Sequence, residues 1–411
     1  MKTISFYIRC LSQRVIAWVA LSCLVVLAGW GAPAGRIGLS QSVHTLWLPI
    51  VAQRAEPVGF VFLAYGDSRA GADCTGNNVH KALVARMAQE PAQLAFHLGD
   101  MITGYNANTN WVTRGACPEA EGSGSFAEHV APFEARTPAP GLSRFLYPVI
   151  GNHDDNWGSD WYPDPAGDTI CSVFDLAALV PNHTQQPYFQ DQTGRVPRYA
   201  DEDFRSLMCS DVDSSVYPSY AYYAFDYRNA RFIVMRLDNE YHDLLECYNG
   251  CDDPTNYDAY YYKHQLDWVR AELADAAERP ELEHIFVFLH APMFSTADGH
   301  VGNASWQTLA REFTASGKVA FVFSGHNHVY ERTVPIAVTT SAPAGVRDDE
   351  RGTVYVTTGG GGSPLHGFRA VDAFTAARAS EYHYVRVEVS GTQITLHVIR
   401  EDGSELDVVT R

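Results

Sequence analysis

The stretch Val319-Ala320-Phe321-Val322-Phe323-Ser324-Gly325-His326-Asn327-His328 joins an apolar run to two histidines separated by one residue. A short apolar run that ends in a glycine and polar side chains is typical of a buried strand leading into a ligand site. The segment that carries His326 and His328 is expected to be extended, and each histidine is expected to serve a different metal ion. The stretch therefore predicts a sheet with metal-ligating side chains at its edge.

Four other apolar runs in the chain end in the same way. They are Phe60–Ala64 before Gly66-Asp67, Leu94–Phe96 before Gly99-Asp100, Tyr147–Ile150 before Gly151-Asn152-His153-Asp154, and Ile285–Leu289 before His290. If these strands lie side by side in one sheet and point the same way, their polar ends converge at its carboxyl edge, where open α/β sheets hold ligands. Side chains far apart in the sequence are therefore expected to form one site.

The segments around these strands complete an α/β pattern. Three helices are predicted, over His80–Gln89, Lys263–Ala277 and Ser305–Thr314, with Ser305 as the N-cap of the third. Three further strands are predicted, over Thr353–Thr357, Tyr382–Val389 and Gln393–Ile399, the last two as a β-hairpin. Strands that alternate with helices predict an α/β layer structure.

The first 34 residues differ in composition from the rest of the 411-residue chain. Lys2, Arg9 and Arg14 precede an uncharged apolar run over 15–30, and small residues follow it. This order predicts a secretory signal over residues 1–34, a linker over 35–57 and one catalytic domain over 58–411. An uncleaved membrane anchor is the alternative, but the run is shorter than the roughly 20 residues that span a bilayer. After cleavage no stable membrane insertion is expected.

The charge of the chain argues against a polyanionic partner. It has 30 basic and 48 acidic residues, a formal net charge of −18, and no block of basic residues. Since non-specific nucleic-acid binding depends on Lys and Arg that neutralise phosphates, no nucleic-acid partner is expected. A small substrate is expected instead.

Six cysteines follow the predicted signal, at Cys74, Cys117, Cys171, Cys209, Cys247 and Cys251. An even number in an exported chain indicates disulfides. Proximity suggests the pair Cys247–Cys251, and chain order suggests Cys74–Cys117 and Cys171–Cys209. The segment over 155–217 would form a long ordered excursion, which either selects substrates or only elaborates the surface.

The polar strand ends supply six potential ligands for a pair of metal ions. Two cations about 4 Å apart clamp a phosphate, lower the pKa of a bound water and stabilise both reacting oxygens. Such a pair needs a shared ligand, and Asp100 is the best candidate because a carboxylate offers two oxygens. One ion would also bind Asp67 and His328, and the other Asn152, His290 and His326. Oxygen ligands mixed with imidazole suit iron, manganese or zinc.

The ordered motifs GD, GD, GNHD, VxxH and GHxH resemble those of the calcineurin-like metallophosphoesterases. The run His326–Arg332, with the sequence HNHVYER, and the glycine-rich segment Val354–Gly362 are similar to those of the purple acid phosphatases in that group. The resemblance covers residues from about 58 to about 400. It implies a four-layer α-β-β-α sandwich of two mixed sheets, a binuclear metal centre and hydrolysis of phosphate esters.

Two positions depart from the family pattern. Thr103 stands where the purple acid phosphatases carry a metal-binding tyrosine, and the nearest tyrosine is Tyr105. Ferric iron is therefore not implied by the resemblance. Arg69 stands where many metallophosphoesterases carry a ligand histidine. A protonated arginine cannot bind a metal, but it can form a forked hydrogen bond with a phosphate or neutralise nearby carboxylates.

Two further histidines are candidates for proton transfer. His153 follows the candidate ligand Asn152 and resembles the family's histidine that faces the substrate phosphate, with Asp154 as the group that orients its ring. His300 follows His290 at a spacing where some relatives carry a histidine near the leaving group. A solvent-exposed histidine in a glycine-rich loop is the alternative for His300.

These features together predict an exported metal-dependent phosphatase. A metal-activated hydroxide would attack phosphorus in line, His153 would offset the developing charge, and His153 or His300 would protonate the leaving alcohol. Phosphomonoesters are the expected substrates, because export fits phosphate scavenging. A phosphodiesterase of small or cyclic nucleotides is the alternative within this chemistry. A secreted binding protein that keeps the fold without turnover is the alternative from another class.

Overall fold

The computed structural model describes residues 59–69, 77–101, 126–142, 144–149, 151–153, 223–237, 257–300 and 306–411. All of them belong to one compact unit, Ala55–Arg411. The predicted signal, the linker, the six cysteines and the excursion over 155–217 lie outside the described ranges, so those features stay predictions. Within these ranges, no helix is both long enough and apolar enough to cross a membrane.

Fifteen strands and four helices form the described part of the chain. The strands are β1 Gly59–Tyr65, β2 Leu94–His97, β3 Leu146–Pro148, β4 Tyr223–Tyr227, β5 Ala230–Val234, β6 His284–Phe288, β7 Val319–Ser324, β8 Tyr330–Thr333, β9 Ile336–Thr339, β10 Ala342–Arg347, β11 Val354–Thr358, β12 Thr375–Ala379, β13 His383–Ser390, β14 Gln393–Arg400 and β15 Glu405–Thr410. The helices are α1 Asn77–Met87, α2 Phe126–Glu134, α3 Tyr257–Ala277 and α4 Gln307–Ser316.

Two large mixed sheets carry these elements. The first has six strands in the order β15-β14-β13-β1-β2-β3, and β1, β2 and β3 run parallel. The second has seven strands in the order β12-β8-β11-β7-β6-β5-β4, with β5, β6, β7 and β11 parallel. Strands β9 and β10 form a separate hairpin. In each large sheet the parallel strands end on one edge.

The strands are apolar on both faces because each sheet is covered on both sides. On β1, Phe62 belongs to the core between the sheets, while Leu63 packs with the residues of α1 and α2. On β6, Phe288 belongs to the same inter-sheet core, while Val287 packs with α3 and α4. The ring of Phe96 stacks on that of Phe288 with centroids 3.7 Å apart. The layers therefore run helix, sheet, sheet, helix, which confirms the predicted four-layer α/β sandwich.

Most of the predicted elements are present, with bounds shifted by a few residues. The third predicted helix begins at Gln307, and its N-cap is Trp306, which makes no side-chain cap hydrogen bond. The prediction of Ser305 as the cap is therefore wrong, because the helix starts later than the polar residue that suggested it. The ligand-bearing strands are divided between the two predicted sheets. Three of the five ligand-bearing strands lie in the six-stranded sheet and two in the seven-stranded sheet.

Candidate metal centre

The six predicted ligands lie at the carboxyl ends of five parallel strands, along the edge shared by the two sheets. Asp67, Asp100 and Asn152 follow β1, β2 and β3, whereas His290 follows β6 and His326 and His328 follow β7. Five of the six are buried, and Asn152 is half-buried. Hydrogen bonds cross between the two sets, since the His326 N–H donates to Asp67 Oδ2 at 2.8 Å. The structure thus brings all six side chains together.

The first ligand group contains Asp67, Asp100 and His328. One ligand atom from each of the three lies within 4.8 Å of the other two. His328 Nε2 is 3.5 Å from Asp67 Oδ1. Three buried donors at these separations can hold one metal ion.

The second ligand group contains Asn152, His290, His326 and again Asp100. Asn152 Oδ1 is 3.0 Å from His290 Nε2 and 2.9 Å from His326 Nδ1, and the two ring nitrogens are 3.2 Å apart. His290 Nε2 is also 3.3 Å from Asp100 Oδ1. Asp100 therefore lies in both groups, as a shared ligand must.

Backbone carbonyl groups orient two of the imidazoles. His290 Nδ1 donates to the Leu98 carbonyl at 2.6 Å, and His328 Nδ1 donates to the Pro364 carbonyl at 2.6 Å. In each ring this leaves Nε2 without the proton and directed at the ligand groups. Fixing the ring and its tautomer through the other nitrogen is how proteins prepare a histidine to bind a metal.

The ligand-bearing turns are strained and closely packed. Asp67, Asp100 and His326 have φ of 59°, 54° and 65°, a region that side chains other than glycine adopt at a cost of about 1–3 kcal/mol each. Gly99 has φ 91°, and a Cβ there would lie 2.5 Å from His290 Nδ1. A Cβ on Gly325 would lie 2.5 Å from Asp67 Oδ2. Strain of this kind concentrates at functional sites.

The turn at His326 corrects one expectation about this motif. Residues 325–329 are not extended, because the Asn327 N–H donates to the Gly325 carbonyl at 2.7 Å around a positive φ at His326. The Val329 N–H donates in the same way to the Asn327 carbonyl at 2.7 Å. In an extended strand the two side chains would lie on one face. Two successive three-residue turns instead direct His326 and His328 into different ligand groups.

The electrostatics of the centre favour a charged carboxylate at Asp100 and a neutral imidazole at His328. Burial alone would raise the pKa of Asp100, but the nearby His290, His153, Arg69 and His326 outweigh it and lower that pKa. Burial, assisted by His366, lowers the pKa of His328 from 6.5 to about 3. A deprotonated carboxylate and a neutral imidazole are the forms that bind metal ions.

The predicted proton-transfer and phosphate-binding residues surround this centre. Arg69 Nε donates to Asp100 Oδ2 at 3.2 Å, and the Arg69 side chain is 21% exposed. The His153 N–H donates to Asp100 Oδ1 at 2.9 Å, and its Nε2 is 4.0 Å from Asp100 Oδ2. The His300 ring lies over that of His326 with centroids 3.9 Å apart. Asp154, Thr103 and Tyr105 lie outside the described residues.

His366 is a neighbour of the site that the ligand motifs do not predict. Its ring stacks on that of His328 with centroids 4.1 Å apart, and its Nδ1 accepts a hydrogen bond from the His328 N–H at 3.3 Å. The His300 ring is 6.1 Å away. The available sequence signal is its position shortly after the glycine-rich run at the end of β11.

The donor set fits a pair of metal ions. It combines two carboxylates, one amide oxygen and three imidazole nitrogens, which suits borderline cations such as iron, manganese or zinc. The glycines around it leave no room for side chains that would displace the ligands. Fold and site together define a layered α/β protein with a candidate centre for two metal ions.

The chain belongs to the calcineurin-like phosphoesterase family, whose model matches residues 76–330. The chain is also 33% identical over 114 residues to an uncharacterised protein of Mycobacterium tuberculosis, a match that covers 24% of this chain and 21% of that one. It is 30% identical over 107 residues to purple acid phosphatase 1 of Ipomoea batatas, covering 25% and 22% of the two chains. The chain thus spans about a fifth of the length of these curated relatives.

The fold matches that of a solved purple acid phosphatase from yellow lupin seeds. The TM-score is 0.54 at 17% sequence identity, and the match covers 86% of this chain and 54% of the lupin chain. At that identity the likeness concerns the fold alone. Family and fold agree with the resemblance inferred from the ordered motifs.

Proposed function

We propose that the protein is an exported phosphatase that hydrolyses phosphomonoesters at a binuclear metal centre. The observation that carries the proposal is the convergence of three oxygen-bearing side chains, the buried Asp100 among them, and three imidazoles at one site. Asp67, Asp100 and His328 would hold one ion, and Asp100, Asn152, His290 and His326 the other. When bound, the two ions would polarise the phosphoryl group and lower the pKa of a water.

The residues around the centre suit the binding of a phosphate dianion. Arg69 donates a hydrogen bond from Nε to Asp100. Among the described residues, its two terminal guanidinium nitrogens have no hydrogen-bond partner. They can form a forked hydrogen bond with a phosphate oxygen. His153 lies beside the shared carboxylate, and about a third of its side chain is exposed. Donors on several sides of one centre favour a monoester, which carries two negative charges, over a diester with one.

Hydrolysis then needs one proton for the leaving group. The water oxygen bonds to phosphorus and loses one proton, the ester P–O bond breaks, and the departing alkoxide takes a proton from His153 or His300. The proton lost by the water restores that histidine. No covalent phosphoenzyme is required. Orientation by fixed groups supplies much of the rate enhancement, because substrate and catalytic side chains are held at set positions.

The test is a metal analysis of the purified chain coupled to hydrolysis of a generic aryl phosphate and of the matching diester. We expect two transition-metal ions per chain and faster cleavage of the monoester. If the unchanged protein cleaves neither ester faster than an Asp100→Asn variant does, the enzyme proposal is wrong and a binding protein is favoured. Preferential cleavage of the diester would replace the phosphatase by a phosphodiesterase. Absence of bound transition metal would remove the site assignment.

Export is proposed from the sequence of residues 1–34. The test is expression of the full chain in a secreting host, with the mature N-terminus determined by mass spectrometry. A chain that begins near residue 35 in the extracellular fraction supports the proposal. An intact N-terminus in the membrane fraction supports the anchor instead.

A further inference from the structure

We infer that Asn327 is a positioning residue that holds His300 beside the metal centre. Asn327 lies between the two predicted ligands His326 and His328, and its side chain is fully buried. The inference rests on the proposed function, because it concerns the group that would protonate the leaving alcohol. It extends that function to a side chain that binds neither metal nor substrate.

Three hydrogen bonds fix the Asn327 amide. Its Oδ1 accepts from the His300 N–H at 3.0 Å, and its Nδ2 donates to the His300 carbonyl at 2.9 Å. Nδ2 also donates to Ser295 Oγ at 2.8 Å. Both amide protons and the oxygen are therefore used, and both backbone groups of His300 are bound by one side chain. A buried amide with all of these partners has a single well-defined orientation.

The backbone that carries Asn327 is itself held in place. Asn327 donates its N–H to Gly325 and accepts from Val329 through its carbonyl, so it connects the two tight turns that direct His326 and His328. Turns with a positive φ persist only where the surroundings fix them. The Asn327 side chain thus links the ligand turns rigidly to the loop that contains His300.

A second buried side chain, Glu331, anchors the start of that loop, and Ser295 contacts both Glu331 and Asn327. Glu331 is buried and accepts from Ser295 Oγ at 3.0 Å, from the Thr296 N–H at 2.7 Å and from Thr296 Oγ1 at 2.5 Å. Glu331 therefore holds the start of the loop, while Asn327 holds His300 itself. The consequence is that the backbone of His300 is held where its ring lies over that of His326.

This placement should affect how strongly the hydrolysis rate depends on the leaving group of the ester. An aryl oxide departs readily without a proton, whereas an alkoxide needs one in the transition state. A shift of about 1 Å in the position of a catalytic group can cost about 100-fold in rate. Loosening His300 should therefore slow alkyl phosphate hydrolysis strongly and aryl phosphate hydrolysis weakly.

The experiment compares Asn327→Leu with the unchanged protein on an alkyl and an aryl phosphate, alone and in a His300→Ala background. We expect kcat for the alkyl ester to fall about 100-fold and kcat for the aryl ester by no more than about threefold. In the His300→Ala background Asn327→Leu should cause no further loss on either ester, because it acts through His300. Metal content should stay unchanged.

Gln265→Leu is the matched control, because the buried Gln265 amide makes the same pair of bonds to the backbone N–H and carbonyl of Arg236, at 2.6 and 2.9 Å. It should lower the melting temperature without changing the ratio of alkyl to aryl rates. Ser295→Ala removes one of the three Asn327 bonds together with one bond to Glu331. It should change the ratio in the same direction by less, and it replaces Asn327→Leu if that variant does not fold.

Equal losses on both esters, additive effects in the double variant, or loss of metal from the Asn327 variant would each overturn the inference. The last outcome would mean that Asn327 acts through His326 instead of His300. An unchanged protein that hydrolyses neither ester overturns the proposed function, which is a different result.

Discussion

The two sheets contribute different chemistry to the candidate metal centre. The six-stranded sheet supplies the proposed oxygen ligands, Asp67, Asp100 and Asn152, and the seven-stranded sheet supplies the proposed imidazole ligands, His290, His326 and His328. Carboxylates provide the negative charge that attracts cations, whereas neutral imidazoles add donors without further charge. Since each metal group draws on both sheets, the centre exists only when the sheets are packed together. Metal binding should therefore stabilise the packed state.

The largest effect is expected from a substitution at Asp100, the proposed oxygen ligand that is common to both groups. Asp100→Asn keeps the shape and removes the charge, so we expect both ions to bind weakly and the rate to fall by about three orders of magnitude or more, because metal stabilisation of the transition state is worth several kcal/mol. Metal analysis and aryl phosphate hydrolysis measure the effect. His328→Ala, which belongs to one group, should lose a single ion. If Asp100→Asn retained two ions, Asp100 would not be the shared ligand.

The next largest effect is expected at the contact between the sheets. Gly99→Ala would place a methyl group against His290 and against the Gly151 backbone nitrogen, at 2.5 and 2.6 Å, in a backbone with φ 91°. We expect a loss of about 3 kcal/mol in unfolding free energy, with weaker metal binding. Gly317→Ala is the control, since Gly317 has φ 67° and open space around it. It should cost only about 1 kcal/mol. Equal costs for the two variants in urea titrations would contradict the packing argument.

The candidate ligands of both sheets are predictable from the sequence because each has a local signal, an apolar run followed by a polar side chain. Asp67 after β1 and His290 after β6 need no distant information. The assignment of these strands to two sheets was not predictable in this way. It depends on pairings such as β1 with β13, whose partners Phe60 and Val389 are far apart in the sequence. Local periodicity does not encode such a pairing.

The fine geometry of the centre was also beyond the sequence pattern. The positive φ of His326 arises because tertiary contacts, such as the bond from its N–H to Asp67, stabilise a turn that local preference disfavours. The ligand motifs do not mark His366 and Asn327 as site residues for a related reason. The role of each depends on what it contacts in the folded chain, and neither belongs to the set of ligands that the motif spacing defines.

The six-stranded sheet also contacts three buried histidines that are not predicted metal ligands. His80, His97 and His129 are buried on the helix-covered side of the six-stranded sheet, and the Nδ1 atoms of His80 and His129 are 2.8 Å apart. Burial lowers the pKa of His97 from 6.5 to about 3 and that of His129 to about 4, and it lowers the pKa of His80 well below 6.5. In the folded protein these three rings are neutral at moderately acidic pH.

The unfolded chain protonates these histidines near pH 6.5, whereas the folded protein does not. Stability should therefore be full above about pH 6.5 and fall as the pH drops towards the folded pKa values, by up to about 1.4 kcal/mol per pH unit for each group. Urea midpoints at pH 7 and pH 5 measure the effect, and His129→Gln should reduce the difference between them. A midpoint that is the same or higher at pH 5 would show that these imidazoles are not buried in the neutral form.

The smallest effect is expected at Arg69, which lies at the end of β1 on the side of the oxygen ligands. If its guanidinium binds the substrate phosphate as a fork, Arg69→Lys should raise KM and the inhibition constant of inorganic phosphate about tenfold, because an ammonium keeps the charge and loses the paired donors. If Arg69 only neutralises Asp100, Lys should replace it with little change in either constant. Arg69→Met also distinguishes these two roles. If Arg69 only neutralises Asp100, loss of its charge should lower kcat without a selective effect on the phosphate inhibition constant. Steady-state kinetics with phosphate as the competing ligand therefore decide between a substrate contact and a partner for the shared carboxylate.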